Sequence, residues 1–231
     1  SDLCSDLVKE YPELQGVLGK YFALSQGFEG EVANSISDHY LPLGLTSIVP
    51  KKPFSYSISI VDKIDSLVGF FIINEKPTSS KDPFALRRSA IGLLRIIIEN
   101  KLSIRLRDLI NYSVRLYEEQ GINIQNKNVE IELLKFLKER MRNILKLKNI
   151  KIDIIEASIS SHSGDNFLDL YKKNILMNKY IKKDLGINAI KSYKRASNIT
   201  EKMENNITGR PDAVLFRTDE EKILYEKINE I

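Results

Sequence analysis

Apolar residues return every three or four positions along almost the whole chain, and this regularity restricts the fold to packed helices. Residues 2–24 carry Leu3, Leu7, Leu14, Val17, Leu18 and Tyr21, and Pro12 divides them into two turns and a fresh start. Further helices are predicted from Glu31 to Tyr40, from Phe54 to Ile73, from Asp82-Pro83 to about Asn100, from a Ser103 cap to about Gln120, and from Val129 to Lys148. Loops fall at Leu41–Pro53 and at Lys76–Lys81, where proline and glycine or short polar residues gather. Ile150 to Ile159 reads as either helix or strand, because its β-branched content suits both. A weak linker at 160–164 precedes helices at about 165–184 and 187–204, and a Gly-Arg-Pro turn at 209–211 leads to a last helix from Asp219. The expected class is all-α, and 231 residues are enough for one large or two small domains.

This pattern excludes several classes. The longest uncharged apolar stretch, Leu67 to Ile73, is far below the roughly 18 residues needed to cross a bilayer. The single cysteine, Cys4, cannot form an internal disulfide and is expected as a small core hydrophobe, which suits a reducing, cytoplasmic setting. No charged-then-apolar leader opens the chain, and with no initiator Met it is expected to be a piece of something longer.

Net charge is only +4, but it is unevenly spread. Residues 1–75 hold five Lys/Arg against ten Asp/Glu, whereas 76–115 hold nine against three, 135–151 seven against one, and 172–195 eight against one. The tail, 201–231, returns to five against eight. Three basic blocks in a nearly neutral chain are what a surface facing a polyanion requires.

On the helix 54–73, Ile58, Asp62, Asp65, Ser66 and Gly69 share one arc, opposite an apolar side of Ile60, Val61, Ile64, Leu67, Val68 and Phe71. Two carboxylates one turn apart beside small residues suit either a divalent cation or an arginine. Arg87 on the next helix has its stem on an apolar arc, so an Arg87–Asp62 or Arg87–Asp65 ion pair is expected, and no metal is assigned. A metal-dependent phosphohydrolase of the HD type needs several histidines and an adjacent His-Asp pair. This chain has two histidines, His39 and His162, and its one adjacent pair, Asp38-His39, is reversed. His39 is expected to satisfy carbonyls at a helix end. No phosphate-cradling glycine loop and no nucleophile–base set can be nominated, so no catalytic residue is assigned to this chain.

The run Lys76-Pro77-Thr78-Ser79-Ser80-Lys81-Asp82-Pro83-Phe84-Ala85-Leu86-Arg87-Arg88 resembles the signature KPTGSKDPFALRR of the β subunit of bacterial glycyl-tRNA synthetase, departing only at Ser79. The resemblance extends in family order along the chain. Glu10 to Gly16 is similar to EFPELQG, Asp38 to Pro42 to EHYLP, and Val61-Asp62-Lys63-Ile64-Asp65 to ADKLD. Asp153 to Ala157 then resembles DVIDAV, and Lys194 to Ile199 a weakened KRVxNI.

The resemblance implies an HD-like helical domain over 1–100, a helical continuation over 101–160, and over 161–231 the truncated beginning of a C-terminal helical domain of the DALR, anticodon-binding type. It implies an HD-like domain without phosphohydrolase activity, and Ser1-Asp2 stands where a His-Asp pair would be. It also implies a role in glycine–tRNA ligase, with two α and two β chains. The α chain makes glycyl-adenylate from glycine and ATP with Mg2+, and β places tRNA(Gly). On that reading Lys76 and Lys81 flank a helix N-terminus suited to phosphate, and Arg88 and Arg95 extend the positive track. Lys191, Lys194 and Arg195 form a second RNA patch. Two other readings remain: an HD-type phosphohydrolase, and a structural scaffold for the α chain.

Overall fold

The computed structural model describes residues 2–78, 81–162, 164–201 and 211–229. Among these, helices are the only regular elements: α1 (Asp6–Glu10), α2 (Val17–Ser25), α3 (Gly30–Asp38), α4 (Pro53–Ile72), α5 (Leu86–Glu99) and α6 (Leu106–Glu119) are followed by α7 (Val129–Leu147), α8 (Ile152–Ser160), α9 (Phe167–Tyr180), α10 (Asp184–Thr200) and α11 (Asp219–Asn229). The class is all-α, and the ambiguous 150–159 segment is a helix. None of the described helices is long and apolar enough to cross a membrane.

The chain divides into two units, Ser1–Tyr180 and Ile181–Ile231. The centre of the first is the α4–α5 hairpin. Pro53 sits in the first turn of α4, where its missing N–H costs nothing. Ile60, Ile64, Leu67, Val68, Phe71 and Ile72 of α4 are buried, as are Leu86, Ala90, Leu93, Leu94, Ile96 and Ile97 of α5. Each fully buried Leu, Ile or Phe stabilises the fold by about 1.5–3 kcal/mol. Around the hairpin, α3 and α6 pack on α4, α7 packs on both helices, and α9 packs on α5 and α8. The expected linker at 160–164 therefore joins two helices that pack together within one unit; its Ser163 lies outside the described residues.

Asp2 ties the first described turn to α2 and to Tyr40. The Gly16 and Gly19 amides each donate to Asp2 Oδ2 at 2.8 Å, and the Tyr40 hydroxyl donates to Oδ1 at 2.9 Å. Burial pushes this carboxyl up, but the Gly19 amide, Tyr40 and Gly16 together hold it below its ordinary range. Gly16 adopts φ 82°, which glycine permits, and a Cβ there would lie 3.1 Å from the Tyr40 ring.

Several local expectations are corrected by longer-range contacts. Asp82-Pro83 does not open α5 directly. A turn ending at Ala85, with φ 55°, precedes the helix, and Asp82 reaches over it to accept the Leu86 and Arg87 amides at 2.9 and 3.1 Å. Ser103 does not cap α6. Asp165, 58 residues beyond Arg107, accepts that residue's amide at 3.0 Å, while Ser103 accepts from Asn166. Cys4 is exposed within a 3-10 turn at Asp2–Cys4, and Val61, expected on the apolar side of α4, is 66% exposed.

In the second unit, Thr218 Oγ1 accepts the Glu221 amide while Glu221 Oε2 accepts the Thr218 amide, a reciprocal pair that starts α11. Phe216 meets Tyr225 edge-on at 5.3 Å. Gly209 and Arg210 of the expected turn lie outside the described residues.

Candidate nucleic-acid interface

The loop before α5 is closed on itself. The Thr78 amide donates to the Lys81 carbonyl at 3.0 Å, the Lys81 amide donates to Thr78 Oγ1 at 3.2 Å, and the Arg87 guanidinium donates to the Thr78 carbonyl. Ser79 and Ser80 lie outside the described residues. Because the Asp82 carboxylate occupies the Leu86 and Arg87 amides, the chain's own anion sits where a phosphate was expected at this helix N-terminus. The cradle is filled. What the loop offers is the side chains of Lys81 and Arg88, both exposed and without an ion-pair partner among the described residues.

Lys76, Arg87 and Arg95 are spent inside the fold. Lys76 pairs with Glu132 of α7, whose carboxyl is held low first by that contact and then by Asn126. Arg95, expected on the exposed positive track, has a side chain only 13% exposed. Its Nε and Nη2 donate to Glu99 Oε1 at 3.0 and 2.7 Å, and its Nη1 donates to the Gly44 carbonyl at 2.6 Å. It thereby ties the 41–53 loop to α5.

The expected Arg87–Asp62 or Arg87–Asp65 pair does not form; no ion pair joins these residues in the described structure. Hairpin register explains this. Gly92 faces Lys63, and Phe84 stacks on Phe70 with ring centroids 4.1 Å apart. Asp62 and Asp65 therefore fall opposite about residues 93 and 90, six and three residues from Arg87 or roughly 9 and 4.5 Å along the axis, and both line the cleft that α4 forms with α3. Asp65 instead has Tyr117 for a neighbour, whose hydroxyl donates to the Asp65 carbonyl at 3.3 Å and fills the space beside Gly69. Burial, with the Asp65 charge, pushes the Tyr117 hydroxyl up to about 12. On their outer side, Asp62 and Asp65 border a largely apolar cleft of about 630 Å³ with Val32, Ile36, Phe54 and Ile58.

Near this cleft lies a polar knot that the sequence reading missed. Lys63 is 5% exposed, and its Nζ donates to the His39 carbonyl at 2.9 Å and to Ser59 Oγ at 2.8 Å. Ser59 Oγ also sits 2.9 and 2.7 Å from the His39 and Leu41 carbonyl oxygens. Burial lowers the Lys63 ammonium to about 8. The signal was available in the helix periodicity, because Lys63 falls within the stripe of Ile60, Ile64 and Leu67. His39 behaves as expected of a helix-end residue, with Nδ1 2.7 Å from the Ile36 carbonyl. Among the described residues, no three His, Cys, Asp or Glu side chains gather as a metal site requires.

Two further basic blocks behave differently from one another. On α10, Lys191, Lys194 and Arg195 are all exposed, and their i, i+3, i+4 spacing sets them on one face. Along 135–151, Lys138 donates to the His162 carbonyl at 2.8 Å, Arg142 grips Glu156 at 2.7 and 2.9 Å, and Arg140 lies over Phe136. Lys135, Lys146, Lys148 and Lys151 remain exposed without an ion-pair partner among the described residues. The charge count marked this block, but periodicity alone could not separate its free lysines from its committed ones.

The sequence profile of the glycyl-tRNA synthetase beta subunit family matches residues 1–160. The glycine–tRNA ligase beta subunit of Rickettsia canadensis is 43% identical over 231 residues, covering 100% of this chain and 33% of that protein. That of Rickettsia prowazekii is 40% identical over the same span. The Ruegeria beta subunit is 37% identical over 204 residues, 88% of this chain and 28% of its own length. The chain spans about a third of the length of the curated relatives it matches. On this evidence the chain belongs to the glycyl-tRNA synthetase beta subunit family.

Proposed function

We propose that this chain is the part of a cytoplasmic glycine–tRNA ligase β subunit that braces and positions tRNA(Gly), while an α subunit activates glycine with ATP and transfers it. The expected assembly has two α and two β chains. The observation that carries the reading is the set of exposed cations without ion-pair partners among the described residues: Lys81 and Arg88 beside the signature loop, and Lys191, Lys194 and Arg195 along one face of α10. Phosphate contacts of this kind fix the register of an RNA without reading its bases. The α chain supplies the reaction on this reading, and the residues of this chain bind and orient.

The test uses the assembled enzyme. Lys81→Glu with Arg88→Glu raises KM for tRNA, while glycine-dependent exchange between ATP and pyrophosphate stays unchanged. An unchanged KM for tRNA would favour the second reading, a scaffold for the α chain. That reading draws on the exposed apolar side chains Phe54, Ile58 and Val61 on α4. The HD-type phosphohydrolase reading finds no assembled ligand set among the described residues.

A further inference from the structure

A second cavity, distinct from the cleft beside Asp62, opens in the first unit. It holds about 360 Å³ between the 41–53 loop, α5, α7 and α9. Its apolar wall comes from Leu45, Ile98 and Leu147, and Tyr171 of α9 lines it as well. Leu45 and Leu147 are 41% and 61% exposed, so this wall faces solvent and is not part of the sealed core. Its polar side chains are Arg95 and Glu99, with Lys148 at the end of α7. Glu99 is already neutralised, by Arg95 at 2.7 Å and by Lys51 at 3.5 Å. Arg95 and Lys51 are thus taken up by Glu99, whereas Lys148 is exposed and has no ion-pair partner among the described residues.

We propose that this cavity receives one unpaired nucleotide of the bound RNA, with its base against Tyr171 and the apolar wall and its phosphate at Lys148. The proposal rests on the reading that this chain faces tRNA, and it adds to that reading a place where the protein engages a base. Proteins that read RNA do so mainly at unpaired nucleotides, whose bases leave the stack and lie against aromatic side chains. A slot this size admits a single base but not a duplex. The ligand chemistry follows from the walls: an apolar planar body with an anion attached. An acidic peptide would satisfy Lys148 but would not use the wall.

The experiment uses the assembled α and β chains with a tRNA(Gly) transcript and a reagent that modifies unpaired bases. In the wild type, binding protects a base that becomes reactive again in Tyr171→Ala, while the other protections persist. Tyr171→Ala weakens tRNA binding by roughly 5- to 100-fold, as loss of one stacked base does, and Tyr171→Phe restores it. Lys148→Glu, at an exposed position that the fold tolerates, removes the same protection. If the wild type binds tRNA and both Tyr171→Ala and Lys148→Glu leave every protection intact, the cavity takes no base, and the proposal falls while the tRNA reading stands. If Lys148→Glu instead breaks assembly with the α chain and leaves tRNA protection unchanged, the occupant is protein and the proposal also falls. If the wild-type assembly binds no tRNA at all, the tRNA reading itself fails.

Discussion

The cations of the signature stretch and those of α10 have similar sequence character and opposite fates. Between residues 76 and 95, Lys76 is held by Glu132, Arg87 by the Thr78 carbonyl and Arg95 by Glu99 and Gly44, leaving Lys81 and Arg88 exposed. On α10, Lys191, Lys194 and Arg195 are all exposed, and Gly186 is the only buried residue described on that helix. The difference is one of surroundings. A helix packed on several neighbours brings carboxylates and loop carbonyls within reach of its basic side chains. A helix with little buried surface offers them only water. A basic block in a sequence therefore measures potential charge, and packing decides how much of it reaches the surface.

Substitutions can break this division, because a committed cation should cost stability when removed and a free one should cost binding. The largest loss is expected at Lys63. Lys63→Ala removes two hydrogen bonds and leaves a cavity beside Gly92, and should lower unfolding free energy by about 3 kcal/mol in a denaturant titration. A change below about 1 kcal/mol would show that the knot is not structural.

The Lys63 ammonium also fixes a pH signature. Its ordinary value of 10.5 falls to about 8 in the fold, so between these the unfolded chain binds more protons. Stability should therefore rise from pH 8 towards pH 10, and Lys63→Met should flatten that rise. Tyr117 acts with the opposite sign above pH 10, since its folded value is about 12 against an ordinary 10.0. A flat wild-type profile between pH 8 and 10 would contradict the burial of Lys63.

Arg95→Gln is next, with an expected loss of about 1–2 kcal/mol through the freed Gly44 loop. The same denaturant titration checks it, and a change below about 0.5 kcal/mol would show that Arg95 does not hold the loop. Smaller still is Lys76→Gln, whose pair with Glu132 is partly exposed and contributes less than about 1 kcal/mol. Thermal melting of that variant should fall by a few degrees at most.

Much of this was legible in advance. Helical periodicity placed α4 within a residue of its observed ends, and the thirteen-residue signature run pointed to the family. Local pattern could not supply contacts between distant residues. Ser103 was a sound local cap, yet Asp165 caps α6 from 58 residues away. Arg87 and Asp62 each lay on the expected kind of arc, but pairing them required the register of the hairpin, which Gly92 and Lys63 set. The free cations of the 135–151 block were hidden for the same reason, since Glu156 and the His162 carbonyl are the partners that sort them.

The most direct measurement is tRNA affinity against salt for the complete β chain with its α partner, comparing wild type with a variant reversed at Lys81, Arg88, Lys191, Lys194 and Arg195. Each lost phosphate contact should reduce the slope by about 0.7–0.9, so the five reversals together should flatten it by roughly 3.5–4.5 while melting stays unchanged. An unaltered slope in a fully folded variant would show that these side chains do not meet RNA, and the division between spent and available cations would lose its functional meaning.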